Sequence, residues 1–164
     1  MKTLYLIRHA KSSWKDRSLD DFDRPLNKRG NRDAPLMGEL LQERSPVPEL
    51  ILSSPALRAI TTAHIIADAI GYPRGKILTD EAIYLASVDT LLEIIRNIHD
   101  RYSSVFMFGH NPGFTDLGNE LTNSQIDNLP TAGLFHVEFD LSSWQDVAPG
   151  RGRLAAFEFP KKHL

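Results

Sequence analysis

Apolar and polar positions along the chain fall into blocks that switch between a strand-like and a helix-like period. Residues 3–8 (TLYLIR) are a short apolar run of β-branched, aromatic and aliphatic side chains, which predicts a buried strand. A long polar segment from Lys11 to Arg29 follows, and its length marks it as functional rather than a plain connection. A helix is predicted over 31–44, with Pro35 tolerable only in its first turn. Residues 49–54 (ELILSS) predict a second strand. Ser54-Pro55 then supplies an N-cap and a proline at the first helical position, opening a helix to Ile70 that Gly71 ends. Ile60, Ala63, Ala67 and Ile70 form its apolar stripe.

The second half repeats the alternation. Residues 76–80 (KILTD) predict a weaker strand, and 88–101 an amphipathic helix with Leu91, Leu92, Ile95 and Ile98 inward. The most apolar strand, 103–110 (SSVFMFGH), is expected at the sheet centre, and Asn111-Pro112 restarts a helix through Leu121. Segments 134–139 (LFHVEF) and 154–159 (LAAFEF) alternate with period two, as half-buried edge strands do. The expected fold is α/β: a three-layer α/β/α sandwich with a mostly parallel central sheet and an antiparallel edge. No repeat or linker divides residues 1–164, so a single domain is expected.

Composition narrows the function classes. A formal net charge of −2 gives no global cation excess for nucleic acid. Without cysteine there is no disulfide framework, thiolate nucleophile or Cys-based zinc site. No apolar run is long enough to span a membrane, and Arg8-His9 interrupts what could have been a signal-peptide core; a cytoplasmic monomer is the default expectation. Basic residues and a histidine are dense near the start (Lys2, Arg8, His9, Lys11, Lys15, Arg17), yet Asp20, Asp21 and Asp23 follow at once. That reads as a local site rather than a polybasic tail.

Ligands of parallel α/β sheets bind beyond the carboxyl ends of the strands. Three such ends carry unusual side chains: Arg8-His9 after the first strand, Ser53-Ser54-Pro55-Ala56-Leu57-Arg58 after the second, and Gly109-His110-Asn111-Pro112-Gly113 after the central one. If they converge, two arginines, two histidines and at least two helix N-termini face one crevice, a set suited to phosphate. A neutral imidazole is a competent nucleophile toward phosphorus, and flanking cations keep it neutral. A second histidine, if protonated, could donate to the phosphoryl oxygens. This scheme needs no metal and implies no cofactor.

Arg8-His9-Ala10 after one hydrophobic strand resembles the RHG/RHA signature of the histidine phosphatase superfamily, the phosphoglycerate-mutase-like group. The resemblance extends through RPLNKRG (24–30), SSPALRAITTA (53–63) and GHNPG (109–113), in the family's order and spacing. The small size, the RHAKSSW start and the GHNPG element resemble more narrowly the SixA-type phosphohistidine phosphatases, which lack the cap insertions of larger relatives. The resemblance implies a phosphoglycerate-mutase-like fold. It implies that His9 is the nucleophile that becomes phosphorylated, that Arg8 and Arg58 clamp the phosphoryl oxygens, that His110 hydrogen-bonds them, and that Arg24 borders the phosphate pocket. Many members have a carboxylate general acid after the third strand. Here that region reads TDEAIYLAS, where Asp80 and Glu81 are candidates that do not align clearly. A phosphoramidate releases imidazole, which needs less help than an alkoxide, so a missing acid favours phosphohistidine.

Other positions carry bland readings beside functional ones. Asn27 belongs to a turn into a helix, Lys11 and Ser12 follow the nucleophile and could reach an oxygen, and Thr131 could place a hydroxyl near His110. Arg58 would be an unfavourable cation in a helix's first turn unless an anion sits nearby. Asp20 to Asp23 read as solvated loop, which Trp14 and Phe22 pack down; His64 reads as packing, and His99, His136 and His163 carry no role. The expected function is a metal-independent phosphatase acting through a phosphohistidine intermediate on a phosphorylated protein. A small-molecule phosphatase or phosphomutase of the same fold, and a non-catalytic phosphohistidine binder, are the alternatives.

Overall fold

The computed structural model describes residues 1–164. One six-stranded sheet runs through it: β1 (Lys2–Arg8), β2 (Leu50–Ser53), β3 (Leu78–Thr79), β4 (Ser104–Gly109), β5 (Leu134–Phe139) and β6 (Gly152–Glu158). Their order across the sheet is β3-β2-β4-β1-β5-β6. The first four are mutually parallel, while β5 and β6 are antiparallel to their neighbours. Four helices cover the faces: α1 (Lys28–Arg44), α2 (Leu57–Ile70), α3 (Val88–Arg96) and α4 (Gly113–Thr122).

Alternation along β1 builds a core on each face. Leu4 and Leu6 join a cluster of 21 buried residues with Leu91, Leu92 and Ile95 of α3 and Phe114 and Leu117 of α4. Tyr5 and Ile7 join a cluster of 17 with Met37 and Leu41 of α1 and Ala63, Ile66 and Ala67 of α2. Each fully buried Leu, Ile or Phe contributes about 1.5–3 kcal/mol relative to exposure, so the two clusters fix which strand end lies beside which. The predicted three layers are present.

Several elements differ from their sequence reading. Helix α1 starts at Lys28, with Asn27 as N-cap accepting from the Gly30 N–H, so Pro35 lies in the helix interior rather than its first turn. Helix α2 opens at Leu57 behind Ala56, which makes no side-chain cap; Ser54 is engaged elsewhere. Strand β3 has two residues and α3 ends at Arg96. Strand β5 is not an edge: it lies between β1 and β6, which leaves only β6 exposed on that side.

The RPLNKRG stretch packs directly behind the end of β1. The Asn27 N–H donates to the Lys11 carbonyl at 2.9 Å, and a Cβ on Gly30 would lie 2.2 Å from that same oxygen. Only glycine permits this approach without moving backbone. Gly30→Ala is expected to destabilise the protein by about 1–3 kcal/mol, read as a lower denaturant midpoint with unchanged slope.

Candidate active site

The pairing of β1 with β4 and β5 brings the predicted strand ends together. Arg8 lies opposite Gly109, and the His9 N–H donates to the Gly109 carbonyl at 3.1 Å. From the other side, the 129–133 loop wraps the same two residues: Gly133 O accepts from Arg8 N (3.0 Å), and Ala132 N donates to His9 O (3.0 Å). Thr62 of α2 completes the frame, accepting from Ala10 N at 3.0 Å and donating to Arg58 O at 2.7 Å. Thr62 thereby couples the strand end to the helical turn that carries Arg58.

A pocket of about 200 Å³ opens over this frame, lined by Arg8, His9, Lys11, Ser12, Trp14, Arg24, Arg58, Leu85, His110, Asn111 and Thr131. The predicted His9, Arg8, Arg58, His110 and Arg24 all reach it. Larger hollows lie elsewhere, but the biggest holds neither an arginine nor a strand-end histidine of this set. Asp80 lines that other groove, where its carboxylate accepts from the Ala82 N–H. Glu81 is exposed in the following turn. Neither carboxylate borders the pocket, which removes both from the general-acid position. Their segment instead supplies Tyr84.

The tautomers follow from the hydrogen bonds. His9 Nδ1 lies 2.7 Å from the Ala10 carbonyl, which can only accept, so Nδ1 carries the proton and Nε2 keeps a lone pair. Arg58 Nε donates toward that Nε2 at 3.4 Å, and the two histidine ring centroids are 5.3 Å apart. His110 Nε2 is 2.8 Å from Ser54 Oγ, whose oxygen already accepts from Ala56 N. A Ser54 hydroxyl that donates to His110 Nε2 places the His110 proton on Nδ1. That Nδ1 is buried without a partner, and so is Arg8 Nε. Buried donors left unpaired cost about 1–3 kcal/mol each, an unusual expense to meet twice in one pocket unless a ligand satisfies them.

Burial, more than the neighbouring cations, pushes His9 down to about 3; His110, Arg58 and Arg8 add to the effect. Burial and then Arg58 push His110 down to about 3 as well, which keeps its ring neutral near pH 7. Unfolded imidazoles titrate near 6.5, so between about 6.5 and 3 the unfolded chain binds more protons and stability falls as pH falls. The melting temperature is expected to drop steadily from about pH 6.5 to 4.5 and to drop less in His110→Gln.

Four residues around the pocket make contacts that the sequence pattern does not signal: Asp21, Tyr84, Ser54 and Leu129. Asp21, read as solvated, forms ion pairs with Arg58 (2.9 Å) and Arg24 (3.1 Å), and the Tyr84 hydroxyl donates to it. Burial alone would raise the Asp21 carboxyl, but the Tyr84 and Arg58 hydrogen bonds outweigh it and bring it down to about 2. Ser54 fixes the His110 ring. Leu129 offers its carbonyl to Arg8 NH1 (2.9 Å) and to Asn111 Nδ2 (3.0 Å), so Asn111 braces the carbonyl that holds Arg8. Arg24 is fastened by Ser12 Oγ (2.7 Å) and stacks 3.5 Å over Trp14, whose ring is otherwise 68% exposed. Phe22 meets Tyr84 edge to face, as the loop-packing expectation required. Lys11 and Thr131 line the pocket without a side-chain hydrogen bond, and Asn27 acts as a helix cap. His64 sits half-buried on α2, His136 stacks on Tyr5, and His163 pairs with Glu158, all outside the pocket. No helix is long and apolar enough to cross a membrane.

Comparison with known proteins places this geometry. The chain is 30% identical to a protein provisionally named phosphohistidine phosphatase SixA from Agrobacterium tumefaciens, with a TM-score of 0.81 over 97% of this chain and 98% of that one. It superimposes on the protein histidine phosphatase SixA complexed with tungstate with a TM-score of 0.82, at 21% identity and 98% coverage of both chains. An uncharacterized chloroplastic protein of Arabidopsis thaliana is 32% identical across 99% of this chain and 80% of its own length. The family model of the histidine phosphatase superfamily (branch 1) matches residues 4–83, the span that carries Arg8, His9, Arg24 and Arg58. The chain belongs to the histidine phosphatase superfamily, in its SixA-type branch.

Proposed function

We propose that this protein, as one domain, is a metal-independent phosphatase that transfers a phosphoryl group to His9 and then to water, with phosphohistidine in proteins as its substrate. The observation that carries the reading is the His9 ring: its proton is held on Nδ1 by Ala10 O, which leaves Nε2 as the unprotonated nitrogen, met only by a long contact from Arg58 Nε at 3.4 Å. Nε2 attacks phosphorus as the bond to the leaving nitrogen breaks, and the departing imidazole takes a proton from solvent. Water then cleaves the phospho-enzyme, releasing inorganic phosphate and restoring His9. Arg8 and Arg58 hold the phosphoryl oxygens, His110 donates from Nδ1, and Arg24 borders the seat. The tungstate carried by the SixA relative is an oxyanion of similar shape and supports an oxyanion seat here.

Two features favour a phosphoramidate on a protein over an alkyl ester. No carboxylic acid stands ready to protonate an alkoxide: Asp80 and Glu81 lie away from the pocket, and Asp21 is held ionised at about 2. The pocket wall also ends in exposed apolar side chains, Trp14 at 68% and Leu85 at 55%, which suit contact with a macromolecular surface. General-acid assistance is worth about 10²–10⁴-fold, and its lack penalises alkyl esters by that order. Phosphohistidine in a folded protein is therefore expected to exceed an alkyl phosphate in kcat/KM by at least about 10²-fold. Faster hydrolysis of the alkyl phosphate would contradict the assignment.

A further inference from the structure

Resting on that reading of the pocket, we propose that Asp21 is a built-in competitor of the phosphoryl group, whose carboxylate ties up Arg58 and Arg24 at the rim of the seat until a dianion displaces it. Both carboxylate oxygens are engaged. Arg58 NH2 and the Tyr84 hydroxyl donate to Oδ2, while Arg24 Nε (3.2 Å) and NH2 (3.1 Å) reach Oδ1. Arg58 NH1 adds a bond to the Asp21 carbonyl at 2.6 Å. The carboxylate straddles two guanidiniums, Oδ2 on Arg58 and Oδ1 on Arg24, and so ties up charged donors that suit phosphoryl oxygens. The guanidinium that holds it is the one whose Nε touches His9 Nε2.

The asymmetry of burial says which partner leaves. Arg58 and Arg24 are almost wholly buried, whereas the Asp21 side chain is 41% exposed in the loop between β1 and α1. Released, the carboxylate re-enters water cheaply. The guanidiniums cannot, and would stay buried and unpaired unless another anion took the place. Exchange of carboxylate for phosphoryl is therefore the low-cost route, and loss of the carboxylate without replacement is not. Asp20 and Asp23, its acidic neighbours, form no ion pair and take no part.

Such a tethered anion makes affinity conditional on charge. A ligand that must open the clasp has its dissociation constant divided by the open fraction, so a clasp closed about nine-tenths of the time costs about tenfold in affinity. A phosphoryl dianion gains from several cations at once and overcomes this. A monoanion such as a free carboxylate offers no more than Asp21 does, and the tether gives Asp21 a high effective concentration. Asp21 on this account selects dianions and speeds release of inorganic phosphate after turnover.

The test is calorimetric titration of the whole protein with inorganic phosphate near pH 8, and with formate as a monoanionic probe. Asp21→Asn is expected to bind phosphate about tenfold more tightly than the wild type and to gain measurable formate binding. Tyr84→Phe, which removes one donor to the same carboxylate, is expected to tighten phosphate two- to threefold and carries the test should Asp21→Asn fail to fold. If wild type binds phosphate and both variants bind it equally or more weakly, Asp21 positions Arg58 and the clasp is overturned alone. If neither wild type nor variants bind phosphate, the seat itself is absent, and the proposed function falls with the clasp.

Discussion

Replacing His9 with alanine is expected to lower turnover by about 10⁴-fold or more while leaving phosphate binding within about tenfold of wild type. The two effects separate because different atoms carry them. His9 supplies a nitrogen lone pair and no oxyanion donor, since its one N–H is committed to Ala10 O. Arg8, Arg58 and His110 remain, and none depends on the His9 side chain for its position: Arg8 is held by Leu129 O, Arg58 by Asp21, and His110 by Ser54. Steady-state turnover beside phosphate titration checks this. Near-native turnover in the variant would remove His9 as nucleophile, and loss of both activities would point to collapse of the pocket.

Replacing Arg58 with alanine is expected to cost about 10³-fold in kcat/KM, and lysine is expected to recover little of it. Arg58 has three tasks that one ammonium cannot share: Nε faces His9, while NH1 and NH2 present a planar edge outward. A lysine offers a point charge without the fork, and its shorter reach from the first turn of α2 leaves either His9 or the oxyanion unserved. The helix dipole already disfavours a cation at this position, and an anion in the pocket offsets that cost. Recovery to within about threefold of wild type by lysine would show that charge alone matters and that the fork does not.

The strand-end residues were readable because their positions follow from hydrophobic periodicity. Once residues 3–8, 49–54 and 103–110 read as parallel strands, Arg8-His9, Arg58 and His110 had to share one end of a sheet. The observed order β2-β4-β1 sets those ends side by side. Asp21 and Tyr84 gave no such signal. They are 63 residues apart, one in an acidic run that looks solvated and the other in a segment whose only charged residues are Asp80 and Glu81. Ser54 misled in a different way. Followed by proline, it has the local form of an N-cap, yet its hydroxyl serves His110, a contact across 56 residues that outranks the local preference. The edge assignment for 134–139 failed because period-two alternation records burial of one face and says nothing about whether a further strand pairs alongside. Contacts that depend on tertiary partners, rather than on local pattern, account for each of these differences.

In the proposed reaction the phosphoryl group passes through one nitrogen, His9 Nε2. Rapid mixing with labelled phosphohistidine protein, a denaturing quench and peptide mapping would test it most directly. The expected result is an acid-labile, base-stable phosphate on His9 Nε2 that forms and decays at least as fast as kcat. Inorganic phosphate released over many turnovers with no label on His9, or with the label on His110, would contradict it.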